Sequence, residues 1–162
     1  MDSNDISNAS KILKSLCVGA KIEGINFYGL KILLSENDTN SKRINGQVYI
    51  NIESEFCLFA SMPTTIPSHN QLPELEWAEA SKLICELRLK EIIDISVHHM
   101  SPHLLLTFDT GEVLFIWGYH ERYESWQVGV MKDSIEEESW EVIACPNNTL
   151  AYIGPEDIVG VI

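Results

Sequence analysis

The chain has 162 residues, with 24 acidic against 11 basic side chains and a formal net charge of −13. Apolar residues make up 45% and charged residues 22%, a globular balance that excludes wholesale disorder. The negative charge argues against nucleic acid and anionic membrane as partners, because both repel it, and no apolar run approaches the ~20 residues of a membrane span.

The length fits a single domain over residues 1–162. Residues 1–8 are polar and predict a frayed tail. They lack the basic and then apolar pattern of a signal peptide, so a cytoplasmic protein is expected. Ile12, Leu13, Leu16 and Cys17 form a one-sided stripe that predicts a short helix over 9–16, with Gly19 as its stop. Residues 21–27 and 30–34 predict strands around a Tyr28-Gly29 turn, and the polar stretch 35–45 predicts a loop. In 47–52, Val48, Ile50 and Ile52 alternate with Tyr49 and Asn51, the period of a half-buried strand. Residues 56–60 follow as a further strand. Pro63, Pro67 and Pro73 mark 61–73 as an irregular connection.

The strongest helical pattern covers about 76–88, with Trp77, Ala80, Leu83, Ile84 and Leu87 on one face. A second strand-rich block follows. Residues 92–97 are β-branched, and 104–108 and 113–117 form a predicted hairpin around Asp109-Thr110-Gly111. Residues 125–130 and 140–144 predict a pair around an acidic loop, 150–153 a last strand, and 158–162 an apolar tail. The blocks 16–60 and 89–130 echo each other loosely, each offering an approach segment and a hairpin. The expected class is α+β: an antiparallel sheet from two hairpin-containing blocks, the 76–88 helix covering one face and the N-terminal helix packed beside it.

Signals for chemistry are sparse. Cys17, Cys57, Cys85 and Cys145 form no C-x-x-C pair and sit in apolar settings, as expected of reduced, buried thiols. His98 and His99 are adjacent and point to opposite faces of a strand, although His99 and His103 could meet across Ser101-Pro102, with His120 beyond. No G-x-S-x-G elbow and no phosphate-cradling glycine loop is present. The expectation is a protein that is not an enzyme, with no catalytic residue, no metal and no cofactor.

Charge and aromatic placement say more. Residues 76–162 hold sixteen acids and five bases, and residues 109–141 hold nine acids and two bases. The segment 118–141 interleaves Tyr119, Tyr123, Trp126 and Trp140 with its acids. Aromatics dominate interface hot spots, and carboxylates pair with arginine and raise association rates toward cationic surfaces. Trp126 and Trp140 are expected in the core. The candidate partner-binding residues are Glu121, Tyr123, Glu124, Asp133, Glu136, Glu137 and Glu138.

The run Leu104-Leu105-Leu106-Thr107-Phe108-Asp109-x-Gly111-x-Val113, then Tyr123-Glu124-Ser125-Trp126, then Val142-x-Ala144-Cys145-Pro146-x-Asn148-x-Leu150-Ala151 resembles a family of small, mostly uncharacterised bacterial proteins of immunity-protein type. Asn147-Asn148 stands where that pattern has glycines; asparagine tolerates left-handed backbone angles, so the turn survives. The resemblance implies a protein that neutralises a cognate basic toxin domain, such as a nuclease, by binding it; the charge placement adds the expectation that both acidic segments shield the toxin's cationic groove. A self-associating structural or regulatory module with no toxin partner is the alternative, and a cryptic metal-binding enzyme using His99, His103 and His120 a third; the oligomeric state, monomer or dimer, stays open at this point.

Overall fold

The computed structural model describes residues 1–160. It is an α+β fold whose ten strands, all antiparallel, divide between two sheets. In chain order the elements are α1 (Ser3–Cys17), β1 (Ile22–Asn26), β2 (Leu30–Leu34), β3 (Gly46–Ile52), β4 (Phe56–Phe59), a 3-10 turn (His69–Gln71), α2 (Trp77–Cys85), β5 (Ile92–Val97), β6 (Leu104–Phe108), β7 (Val113–Ile116), β8 (Trp126–Lys132), β9 (Glu141–Cys145), β10 (Thr149–Ile153) and α3 (Glu156–Val159). The expected apolar tail 158–162 lies in part outside the described residues.

Residues 1–8 are not a frayed tail. Asp2 accepts a hydrogen bond from the Asn4 N–H at 2.8 Å, an N-cap that starts α1 at Ser3. Ala9, Ile12, Leu13, Leu16 and Cys17 are buried at helical spacing. Ile12, Leu13 and Leu16 alone contribute about 6 kcal/mol of hydrophobic burial. This helix, packed on β5, β9, β10 and α3, is the main cover of the core. The stronger sequence pattern, at α2, covers less: Ile84 and Leu87 are buried, but Trp77 is 53% exposed and stacks on the exposed Phe27.

The last carbonyls of α1 are satisfied from a distance. Asn37 Nδ2 donates to the Ser15 and Val18 carbonyls at 3.1 and 2.9 Å, and Asn40 Nδ2 to those of Ser15 and Leu16 at 3.2 and 3.3 Å. The two asparagines also exchange backbone-to-side-chain bonds, so the polar loop after β2 is a buried cap for a helix.

The single expected sheet is two because each half of the chain gives its fourth strand to the other half. The order is β1-β2-β3-β8-β9-β10 in one sheet and β4-β7-β6-β5 in the other. The halves match strand for strand. Ile22 faces Leu34 and Ile25 faces Ile32 in one, as Ile92 faces Phe108 and Ile95 faces Leu106 in the other. Both β1 and β5 shift register directly after that first isoleucine. Where they enter, the Gly19 and Ile92 N–H groups bond the Ile92 and Ala20 carbonyls, and the Leu89 and Ile22 N–H groups bond the Ile22 and Lys90 carbonyls. Gly19 and Leu89, in equivalent places, both take positive φ, 87° and 67°. β3 then pairs with β8 (Ile52 opposite Trp126) and β7 with β4 (Ile116 opposite Phe56).

The inner faces of both sheets and the apolar sides of α1 and α2 share one core, in which Trp126 is fully buried and Trp140 nearly so. The proline-rich stretch 61–73 is more than a connection. Its Ile66 and Leu72 close a second, smaller core over Leu105, Val113 and Phe115 on the outer face of the four-stranded sheet. Among the cysteines Cys17 is buried, but Cys85 is exposed on α2, against expectation. No helix of the described residues is long and apolar enough to cross a membrane.

Candidate functional site

Two links carry the exchanged strands between sheets: residues 53–55 after β3 and residues 117–125 after β7. They run against each other and are stitched together. The Glu53 N–H donates to the Ser125 carbonyl at 2.9 Å, the Trp117 N–H to the Glu55 carbonyl at 2.9 Å, and the Ser54 hydroxyl to the Trp117 carbonyl. Around this crossing opens a groove of about 1370 Å³, larger than the ~300–1,000 Å³ of a small-molecule site and unenclosed. Glu53, Glu55, Glu121 and Glu124 line it with one cation, Arg122, and with Trp117, Tyr119, Tyr123, His69, His120 and Ser125.

The carboxylates are held by the sheet. Asn51 on β3 and Gln127 on β8 are directly opposite each other. Asn51 Nδ2 donates to Glu53 Oε1 at 2.8 Å, and Gln127 Nε2 donates to Glu124 Oε2. The second oxygen of each acid accepts no hydrogen bond from the described residues. Across the groove His69 Nε2 meets Glu55 Oε2 at 3.1 Å and packs on the Trp117 ring, with centroids 5.0 Å apart. Burial works against the charge of Glu55. The hydrogen bond from His69, a backbone N–H and the nearby imidazoles outweigh it, so its carboxyl lies below the usual carboxylate range.

His120 shapes the rim. Its Nδ1 accepts from the Arg122 and Tyr123 N–H groups at 2.9 and 3.1 Å, and its ring packs on Tyr123, which is 66% exposed. Below the floor, buried His103 accepts at Nδ1 from the Gly118 N–H at 2.9 Å and lies against Trp117, with centroids 4.3 Å apart. Burial, with His98 nearby, pushes His103 down to about 4, so it is neutral at pH 7. A Cβ on Gly118 would fall 1.9 Å from the Pro102 carbonyl oxygen; only glycine lets these segments approach so closely.

Of the residues singled out from sequence, Glu121, Tyr123 and Glu124 come together in this groove. Asp133, Glu136, Glu137 and Glu138 do not join them. They sit in the loop beyond the far end of β8, about 20 Å along that strand from the groove. That tip is partly neutralised from within. Arg43 bonds both oxygens of Glu138 (2.8 and 3.0 Å) and both of Asp157 (2.8 and 2.7 Å), with its guanidinium over the Trp140 ring. Hydrogen bonding to Arg43 holds both carboxyls below their ordinary range. Asn45 bonds Glu137, and Lys132 caps the Glu137 carbonyl and the Ser139 hydroxyl.

His98, His99 and His103 cluster with ring centroids 4.5 and 6.0 Å apart. No three histidine, cysteine, aspartate or glutamate side chains among the described residues are placed to hold a metal. Sequence reasoning missed Glu53, Glu55, His69 and Ser125. Glu53, Glu55 and His69 lie far from the 118–141 segment along the chain, and only the exchange of strands brings them beside it, whereas Ser125 lies within that segment and carries no charge or ring to single it out. No family model matches the chain, and no curated protein or solved structure matches it.

Proposed function

We propose that this is a binding protein of the immunity type, whose groove between the two crossing links receives a cationic segment of a basic protein domain. The observation that carries the reading is the convergence of Glu53, Glu121 and Glu124 beside exposed Tyr119 and Tyr123. Among the described residues no lysine or arginine forms an ion pair with any of those three acids. Exposed carboxylates set the association rate and its salt dependence, while the aromatic rings supply contact area at low conformational cost. The Asp133–Glu138 tip contributes little, because Glu138 is committed to Arg43.

The test is stopped-flow association with the basic domain encoded by a neighbouring gene, over a range of salt. Charge reversal at Glu121 and Glu124 slows association at low salt and flattens its salt dependence. The same reversal at Glu136 and Glu137 changes both far less. Equal effects from the two sites, or none from the groove, refute the assignment.

A further inference from the structure

Where the two halves of the chain meet, their backbone bonds come in matched pairs, as they do about a two-fold axis. The Gly19 N–H donates to the Ile92 carbonyl and the Leu89 N–H to the Ile22 carbonyl, both at 2.8 Å. The Ser35 N–H donates to the Lys21 carbonyl and the Asp109 N–H to the Glu91 carbonyl, both at 2.9 Å. In return the Lys21 N–H donates to Ser35 Oγ at 2.8 Å and the Glu91 N–H to Asp109 Oδ1 at 3.3 Å. Lys21 and Glu91, equivalent in all of these, bridge to each other, so the axis passes between them. Contacts that repeat themselves in this way are those of an isologous interface between two like units.

The links between sheets obey the same relation except in length. Ile52 faces Trp126 and Phe56 faces Ile116. The Glu53 N–H to Ser125 carbonyl bond extends the first ladder, and the Trp117 N–H to Glu55 carbonyl bond extends the second. Between those facing pairs one strand has three residues, 53–55, and the other has nine, 117–125. Trp117 and Ser125 stand where Glu53 and Glu55 do, and Gly118 takes the place of Ser54. The surplus is residues 119–124, every one of them exposed. Ordering an exposed segment costs conformational entropy and buries little apolar surface in return. The segment is nevertheless held, by the Asn147 N–H on the His120 carbonyl at 3.0 Å and by Trp117 Nε1 on the Tyr119 carbonyl at 2.9 Å.

We propose that residues 119–124 are an insertion into a duplicated two-fold scaffold, unneeded by the fold and kept as the segment that contacts the partner. The contact role rests on the reading of the groove as a site for a cationic protein segment; the dispensability does not. A segment that the core does not use is free to vary with its partner while the scaffold holds it in position.

The experiment excises residues 119–124 from the intact chain, joining Gly118 to Ser125, and in a second protein replaces them with three Gly-Ser repeats. Both proteins fold. The Glu53 and Trp117 amides exchange as slowly as in the wild type, the Trp126 indole N–H keeps its NMR position on the Pro102 carbonyl, and the melting temperature falls by no more than about 5 °C. Affinity for the basic domain encoded by the neighbouring gene falls about hundredfold or more in both, the loss expected when hot-spot side chains leave an interface. An excised protein that loses the native Trp126 signal overturns the insertion. A folded protein of either kind that keeps wild-type affinity overturns the contact role and leaves the groove reading to Glu53 and Glu55. A wild-type chain that does not bind the domain at all overturns the groove reading and the contact role together, while the folding result stands.

Discussion

Acidification tests the structure at its most buried imidazole. His103 stays neutral in the fold down to about pH 4, because protonation would charge a buried ring and remove the acceptor that holds the Gly118 N–H. In the unfolded chain the same ring protonates near pH 6.5. Between these values the unfolded state binds the extra proton, so stability falls as pH falls. The depression from 6.5 to about 4 corresponds to a destabilisation of about 3 kcal/mol, absent at pH 7 and complete by about pH 4. His103→Asn places Oδ1 near the position of Nδ1, keeps the acceptor and removes the titration. Its smaller side chain lowers stability by an amount that does not vary with pH. Urea denaturation of both proteins at steps from pH 7 to pH 4 measures the difference. The wild-type advantage shrinks by about 3 kcal/mol over that window, and carboxylates common to both proteins cancel. An advantage that stays constant with pH refutes the picture of a ring kept neutral by burial.

Three further outcomes follow from the packing. Asn37→Ala strips the Val18 carbonyl and the Asn40 N–H of their side-chain partner and leaves the Ser15 carbonyl only its bond from Asn40, and costs about 3 kcal/mol by chemical denaturation. Gly118→Ala drives a methyl group into the Pro102 carbonyl and yields insoluble protein or a loss above about 3 kcal/mol, read by soluble yield and calorimetry. Arg43→Gln frees Glu138 and Asp157 and lowers the melting temperature slightly at low ionic strength. Most of that drop vanishes near 0.5 M salt, about where the Debye length approaches the length of an ion pair.

Local pattern made the strands legible. The alternation of Val48, Ile50 and Ile52 and the β-branched run at Ile92–Val97 gave β3 and β5 almost to the residue, because period-two burial is a property of adjacent side chains. Their assignment to sheets was not legible. Nothing in 53–55 or 117–125 announces that the next strand joins the opposite sheet; that is decided by which inner faces fill one core. The start of α1 was hidden because Asp2 and Asn4 look like any polar tail until the cap forms. Asn37 and Asn40 looked like solvated loop residues until the end of a helix lay against them. The 118–124 half of the candidate site was legible from its aromatics and acids. Its other wall is contributed by Glu53 and Glu55, and the acids at 133–138 stood apart because seven residues of β8 separate the two clusters.

Strand exchange between the halves also constrains the order of events during synthesis. When the ribosome has released β1 to β4, β3 still lacks its neighbour and β4 has no sheet to join, so the first half emerges with two bare edges. Neither sheet closes until β7 and β8 are made, which places the rate-limiting contacts far apart in the chain and makes folding slow and late. A nascent chain stalled near residue 100 therefore displays one bare edge of β3 and an unpaired β4, the form most exposed to mispairing with its neighbours on a polysome.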